Sequence, residues 1–384
     1  MAQREFLIDV SRLVWRVWTG RHPTGIDRVC LAYLDHFGDR AQAVLQKNGF
    51  LRVLSPKRSD RLFALLRRGP EGFRAGFAAM ATGIFWSGRG NGDCAGKIYL
   101  NIGHTGLDEP TLTHWVKRRG VKAVYLVHDL IPLTHPEYCR AGEAEKHAAR
   151  MAHVLDSATG IIANSQVTLD EFAAHARAQG RELPSAIAAW ISGNQIPEDV
   201  RPSHLDRPHF VTVGTIEGRK NHVLLLQIWQ HLAERLGSAC PRLLIIGQRG
   251  WEADMALGML DRTAALKGNV RELGDCDDAE LARLIAGARA LLMPSFAEGF
   301  GLPVVEALQL GTPVIASDLP VFREIAGIIP TYLEPTDGAG WERTIVSFLA
   351  DSAERQRQLT MVRGYRAPGW ADHFAKVEGW LKTL

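Results

Sequence analysis

Paired cysteines are missing from this chain. Its five, Cys30, Cys94, Cys139, Cys240 and Cys276, are odd in number, widely scattered and nowhere form Cys-x-x-Cys. That argues against a disulfide framework or a zinc site and for a reducing, cytoplasmic setting. No run of about 18 uncharged apolar residues occurs. The opening Met1-Ala-Gln-Arg-Glu5 leads straight into strand-like Phe6–Val10, so neither a transmembrane helix nor a signal peptide is expected. Internal repeats and low-complexity tracts are also lacking, which excludes solenoids and disordered arrays. No Gly-x-Gly-x-x-Gly follows a strand with an acid about 20 residues on, and this removes an ordinary dinucleotide dehydrogenase. Without a Gly-x-Ser-x-Gly elbow, Ser165 reads as a helix cap rather than a nucleophile.

What is present is enough for two cores. A chain of 384 residues, 46% hydrophobic and 23% charged, exceeds what one core usually serves. Charge is uneven along it: residues 1–122 hold 20 Lys/Arg against 10 Asp/Glu, and residues 123–384 hold 25 against 32. Nucleic acid is a poor explanation, because no binding motif accompanies the charge and the net excess is only +3. An anionic membrane surface or a phosphate-bearing lipid acceptor fits the basic first third; scattered solvated lysines and arginines remain the alternative. Pro56–Arg68 mixes basic and apolar residues at helical spacing, as either an interfacial helix or an ordinary core-facing one would.

Strand-like runs alternate with helical ones throughout, which argues for open parallel sheets wrapped by helices. Strands are expected at Phe6–Val10, Lys97–Asn101, Ala123–His128 and Gly160–Asn164. A second set is expected at His209–Gly214, Arg242–Gly247, Val270–Leu273, Ala290–Pro294 and Pro313–Ala316. The proline-containing stretch 194–203 is the expected linker. The expected division is a first domain over 1–200 and a second over 207–365, with a C-terminal helix 366–384 packing back on the first.

Chemistry concentrates where strands should end, the place at which such sheets bind ligands. In the second half, Glu298-Gly-Phe-Gly-Leu-Pro-Val-Val-Glu306 follows one strand and opens a helix, so glycines and free backbone N–H groups lie between two carboxylates. Such carboxylates can accept hydrogen bonds from vicinal diols. The bland reading is an exposed Glu298 and a Glu306 that merely favours the helix start. Phe210-Val-Thr-Val-Gly214 leads into Thr215-Ile-Glu-Gly-Arg219-Lys220-Asn221-His222, whose adjacent Arg and Lys can neutralise a diphosphate without a metal. Cations there oppose the helix dipole and need a reason. Asp275-x-Asp277 mimics a metal-binding pair but stands before an amphipathic helix, where Asp277 or Asp278 reads as its N-cap.

These segments together resemble the Glu-x7-Glu signature and the Gly-x-x-x-x-Arg-Lys loop of retaining GT-B glycosyltransferases of the family 4 type. The resemblance is strong over 207–327 and looser over 1–190. It implies an α/β fold of two Rossmann-like, doubly wound parallel-sheet domains facing across a cleft, with the acceptor on the first domain and the nucleotide sugar on the second. Glu298 would then hold the donor sugar, Glu306 the ribose diol, and Arg219 and Lys220 the diphosphate. Gly214, Gly299, Phe300, Gly301 and Leu302 would line the donor, and Gly274 and Cys276 would border the nucleobase. In the first half, His22-Pro-Thr-Gly25-Ile-Asp-Arg28 is similar to the family's glycine-containing loop near the donor, with Arg28 able to reach phosphate or acceptor. Tyr125-Leu-Val-His128-Asp129-Leu-Ile-Pro132 matches its His-Asp-x-x-Pro run and implies His128 against the transferred sugar. Asn101 and His104, at another strand end, are candidate acceptor contacts; for each short motif a plain turn or a satisfied structural residue is the competing reading.

The implied activity is transfer of a hexose, mannose from GDP-mannose standing first, to a hydroxyl of a glycan or lipid-linked oligosaccharide in polysaccharide biosynthesis. The anomeric configuration is retained and no cofactor or metal is expected. The enzyme would be cytoplasmic, with peripheral contact at the inner face of the membrane open. A nucleotide-sugar epimerase on the same plan and a non-catalytic sugar-nucleotide-binding protein are the alternatives.

Overall fold

The computed structural model describes residues 4–20, 24–86, 94–193, 196–197 and 199–384, so the expected linker 194–203 lies partly outside the described residues. The chain divides into two compact units. One comprises Met1–Leu130, Ala144–Ile191 and Trp370–Leu384, and the other Ile131–Glu143 and Ser192–Gly369.

The first unit contains seven strands: β1 (Phe6–Asp9), β2 (Ala41–Lys47), β3 (Phe50–Val53), β4 (Ile98–Asn101), β5 (Lys122–Val127), β6 (Ala158–Ala163) and β7 (Ser185–Ala188). Their order is β3-β2-β1-β4-β5-β6-β7. All neighbours are parallel except β2 and β3. That hairpin turns at Asn48 (φ 49°) and Gly49 (φ 77°), the paired positive φ values a tight two-residue hairpin requires. The helix Trp370–Leu381 packs into this unit: His373 Nε2 lies 2.8 Å from the Tyr33 hydroxyl, and Phe374 rests against Tyr33 and Phe37.

The second unit has β8 (His209–Val213), β9 (Arg242–Ile246), β10 (Val270–Leu273), β11 (Leu291–Met293), β12 (Val314–Ser317) and β13 (Thr331–Leu333). They are all parallel, in the order β10-β9-β8-β11-β12-β13. Trp229 and Trp341 are fully buried in its core, and each indole N–H finds a carbonyl, on Pro241 at 2.8 Å and Glu334 at 3.0 Å. A buried indole needs such a partner.

One expectation requires correction. A helix, Ser11–Thr19, intervenes after β1, and the next helix runs Gly25–Phe37. Gly25 is therefore the first residue of a helix and Arg28 lies in its first turn, instead of both lying in a loop. The helix begins this early because Thr24 and Asp27 form a reciprocal capping box, which satisfies otherwise orphaned N–H groups. Of the two readings open for Pro56–Arg68, the core-facing one holds: the helix buries Leu62, Phe63 and Leu66, so its apolar face belongs to the core.

Candidate active site

In the second unit the strand order reverses between β8 and β11, the point at which ligands of such sheets bind. After β8, Gly214 turns at φ 138°, and a Cβ there would stand 3.2 Å from Lys220 Cε. The glycine leaves room for the lysine chain to fold back over the strand end. A single tight turn, Gly218–Lys220, follows. Asn221 (φ 55°) donates to the carbonyls of Pro294 at 3.2 Å and Pro335 at 2.9 Å. The Phe296 N–H donates to the Arg219 carbonyl at 2.8 Å. These bonds clamp the loop after β8 against the loop after β11.

Between the loops lies an ion cluster. Lys220 Nζ donates to Glu298 Oε1 at 2.5 Å and Arg219 Nη1 to Glu298 Oε2 at 2.8 Å; the Ser295 hydroxyl adds a bond of 2.7 Å. The other end of the guanidinium, Nη2, meets Glu217 at 2.7 Å. Burial alone would push the Glu298 carboxyl up, but the charges of Lys220 and Arg219 outweigh it and hold it at about 2. Lys220 is pulled down by burial against the opposing pull of Glu298. Glu217 is pushed up by burial despite Arg219 and Lys220. With side-chain exposures of 6% for Glu298 and 4% for Glu217, these are buried charges that persist by mutual pairing.

Gly301, at φ 99°, precedes the helix Leu302–Gln309, and a Cβ there would lie 2.6 Å from the Phe322 ring. Glu306 sits in the second turn of that helix, 7% exposed, and packs where Gly193 lacks a side chain, its Cγ 3.0 Å from a Cβ added there. Neither glutamate thus fits the bland reading: Glu298 is not solvent-exposed and Glu306 is not at the helix start. Gly299, Phe300 and Leu302 belong to the same loop and helix entry. At the neighbouring strand ends, a Cβ on Gly247 would lie 2.1 Å from the Gly214 carbonyl, and one on Gly274 would be 3.9 Å from that of Gly247. Three glycines thus line the ends of β8, β9 and β10. Cys276 is half-buried beside Gly274, its thiol pushed up to about 11, by burial first and then by Glu280 and Asp277. Asp277 caps the following helix, accepting from Glu280 N at 2.7 Å. Among the described residues no group of three or more His, Cys, Asp or Glu is arranged to hold a metal ion.

In the first unit the order reverses between β1 and β4. His128, at the end of β5, is 5% exposed. Its Nε2 lies 2.8 Å from the Ile102 carbonyl, so that nitrogen carries the proton, and burial lowers its pKa to about 4. His104 (φ 58°) makes the equivalent bond to the Leu126 carbonyl at 2.7 Å and is likewise held neutral by burial, with His128 and His147 adding to the effect. Asn101 is a correction: it is fully buried, its amide donating to Tyr99 and to the Thr105 carbonyl, so it offers no surface to an acceptor. Gly25 and Arg28 stand at the start of a helix whose Asp27, also fully buried, binds Arg12 at 2.6 Å and Arg16 at 2.9 Å.

Sequence reasoning missed Glu217, Ser295 and Asp9 as members of these clusters. For Glu217 a signal existed, an acid two residues before an Arg-Lys pair at a strand end. Asp9, at the end of β1, accepts from Gln46 at 2.6 Å, Ser11 N at 3.0 Å and Tyr99 at 3.1 Å. With burial outweighing those bonds, its carboxyl is raised to about 6.

Residues 196–360 match the family of group 1 glycosyl transferases. Over 236 residues the chain is 30% identical to the serotype-specific mannosyltransferase WbdA of Escherichia coli, covering 55% of this chain and 28% of that protein. It is also 30% identical over 258 residues to the O-antigen chain mannosyltransferase B of Escherichia coli, covering 65% of this chain and 66% of the relative. The chain therefore spans less than two thirds of the length of these curated relatives. Among solved structures, Anabaena Alr3699/HepE in complex with UDP-glucose superposes with a TM-score of 0.67 at 14% identity, over 99% of both chains, a likeness of fold.

Proposed function

Because the chain is a group 1 glycosyltransferase of the family 4 type on the GT-B fold, we propose that it moves a hexose with retention from a nucleoside diphosphate sugar to a hydroxyl of a glycan or lipid-linked acceptor. The observation that carries this reading is the Glu217-Arg219-Lys220-Glu298 cluster at the strand-order reversal of the second unit. Two cations held side by side suit a departing diphosphate, and Glu298 beside them suits the hydroxyls of the sugar being transferred. Glu306 takes the ribose diol. Gly214, Gly299, Phe300, Gly301 and Leu302 allow close approach of the main chain to the donor, and Gly274 and Cys276 border the base. His128, neutral with its proton on Nε2, faces the sugar; Gly25 approaches the phosphates, and Arg28 and His104 serve the acceptor.

In the step itself the acceptor oxygen bonds to the anomeric carbon on the face from which the diphosphate leaves. The anomeric carbon–phosphate oxygen bond breaks, and the acceptor proton passes to the leaving phosphate. Arg219 and Lys220 supply electrostatic stabilisation as charge develops on that phosphate, and so do the work a divalent cation would otherwise do. Mannose is the first choice of sugar, because both relatives above are named mannosyltransferases; GDP is the carrier to test first. Peripheral membrane contact is supported by half-exposed Trp15 and Trp18 on a helix that packs beside the basic helix Pro56–Arg68, a mixture suited to an anionic interface.

The test is a thermal-shift panel of nucleoside diphosphates and their sugars, followed by transfer to a lipid-linked acceptor with the anomeric configuration of the product read by NMR. A nucleotide at 100 times its dissociation constant stabilises by about 2.7 kcal/mol. No stabilisation by any nucleoside diphosphate, or an inverted product, would overturn the reading; interconversion of the donor sugar without acceptor would favour an epimerase.

A further inference from the structure

Glu217 has no role in the chemistry just described, yet it is one of the most enclosed charges in the site, 4% exposed. A buried carboxylate must be paired to stay charged, and its partner is Arg219. The guanidinium is gripped at both ends: Nη2 by Glu217 at 2.7 Å, and Nη1 by Glu298 at 2.8 Å and the Ala297 carbonyl at 3.0 Å. The two carboxylates are placed differently. Glu298 is shared among Arg219, Lys220 and Ser295, so an incoming diphosphate competes with it for both cations. Glu217 stands on the opposite end of the guanidinium, and its main chain opens the turn that carries both cations, its carbonyl accepting from Lys220 N at 3.0 Å. Were Glu298 the guanidinium's sole carboxylate, its displacement would leave only a weaker, neutral grip such as the Ala297 carbonyl on a long, rotamer-rich side chain just when the phosphate needs it fixed.

We propose that Glu217 is a positioning residue that keeps the Arg219 guanidinium aimed when a donor diphosphate displaces Glu298. The proposal rests on the assignment of Arg219 to the diphosphate made above. Its consequence is coupling: Glu217 matters to nucleotide binding only through Arg219.

A double-mutant cycle tests this on the full chain, with Glu217→Gln, Arg219→Ala and the double variant. Calorimetric affinities for GDP and UDP and donor turnover are measured for each, and thermal unfolding establishes that each is folded. Glu217→Gln, which keeps the shape and removes the charge, is expected to weaken diphosphate binding and slow turnover on the order of ten-fold in the wild-type background, and by less than about two-fold once Arg219 is alanine. The same loss in both backgrounds would mean that Glu217 supports the loop independently, and would overturn the proposal. So would wild-type behaviour of Glu217→Gln beside a strongly impaired Arg219→Ala, which leaves the diphosphate assignment standing. If Arg219→Ala itself binds and turns over as wild type, that assignment falls and this inference with it.

Discussion

Replacing Glu298 by glutamine removes the charge that Lys220 and Arg219 share while keeping the side chain's shape. In the wild type, burial is overcome by Lys220 and Arg219 so that the carboxyl sits at about 2 against an ordinary 4.5. A carboxyl depressed in the folded state stabilises above its unfolded pKa, and that contribution is lost as pH falls from 4.5 through 2. Its size at neutral pH is about 3 kcal/mol. That agrees with the roughly 3–5 kcal/mol lost when one member of a buried pair is removed, since Lys220 is left 11% exposed without its counter-charge. For a unit of this size the melting transition should fall by roughly 6–12 °C at pH 7, and the gap to wild type should narrow as the buffer is taken below pH 4.5. The same variant should bind free GDP more tightly, by about ten-fold, because the diphosphate no longer displaces a carboxylate, even as turnover of the sugar donor drops. Differential scanning calorimetry over a pH series, with titration of GDP and UDP, measures both. An unchanged melting transition would show that the ion cluster does not form in solution, and weaker diphosphate affinity would show that the two cations do not face the phosphates.

Glu306→Gln should weaken nucleotide sugar and free diphosphate alike, about ten-fold, with little change in kcat, since the ribose is remote from the bond that breaks; a kcat defect without an affinity defect would refute that placement. Lys220→Ala should slow transfer by roughly 10–100-fold, as expected for a charge-assisted contact of about 1.5–3 kcal/mol that tightens in the transition state, and wild-type rates in the folded variant would sink the assignment. Transfer should survive EDTA; complete loss restored by magnesium or manganese would contradict the role given to Arg219 and Lys220. Asp9, raised by burial to about 6 from 3.8, should give stability that is present below pH 3.8 and lost as pH rises through 6, about 3 kcal/mol in all; Asp9→Asn should flatten that dependence in urea unfolding at pH 4 to 7, and an unaltered slope would show that Asp9 does not titrate there.

The parts of this fold legible in sequence are those whose cause is local. β8, β9, β11 and β12 are short, almost wholly buried apolar runs, and they announce themselves by composition and by the turn residues after them. β3, β7 and β13 are edge strands with only partly buried faces. Phe50-Leu-Arg-Val, Ser185-Ala-Ile-Ala and Thr331-Tyr-Leu pair because a neighbour is already there, so their cause is tertiary and their pattern is faint. Asn101 failed for a related reason: its strand-end position was readable, but its burial comes from Tyr99 and the Thr105 carbonyl, which enclose it only once the loop has folded back.

The site repeats this division. The order and spacing of Arg219, Lys220, Glu298 and Glu306 could be read directly, whereas the pairing of Lys220 with Glu298, 78 residues away, could not. That pairing alters the chemistry inferred from the motif alone. Two adjacent cations at a strand end suggest an open basic site waiting for phosphate, but Glu217 and Glu298 make the cluster neutral before any ligand arrives. On the proposed assignment, a donor diphosphate would enter by exchange for an internal carboxylate rather than by attraction to uncompensated charge. In that proposal the carboxylate released is the one assigned to the sugar, so the act that seats the leaving group would also free Glu298 for the group that is transferred.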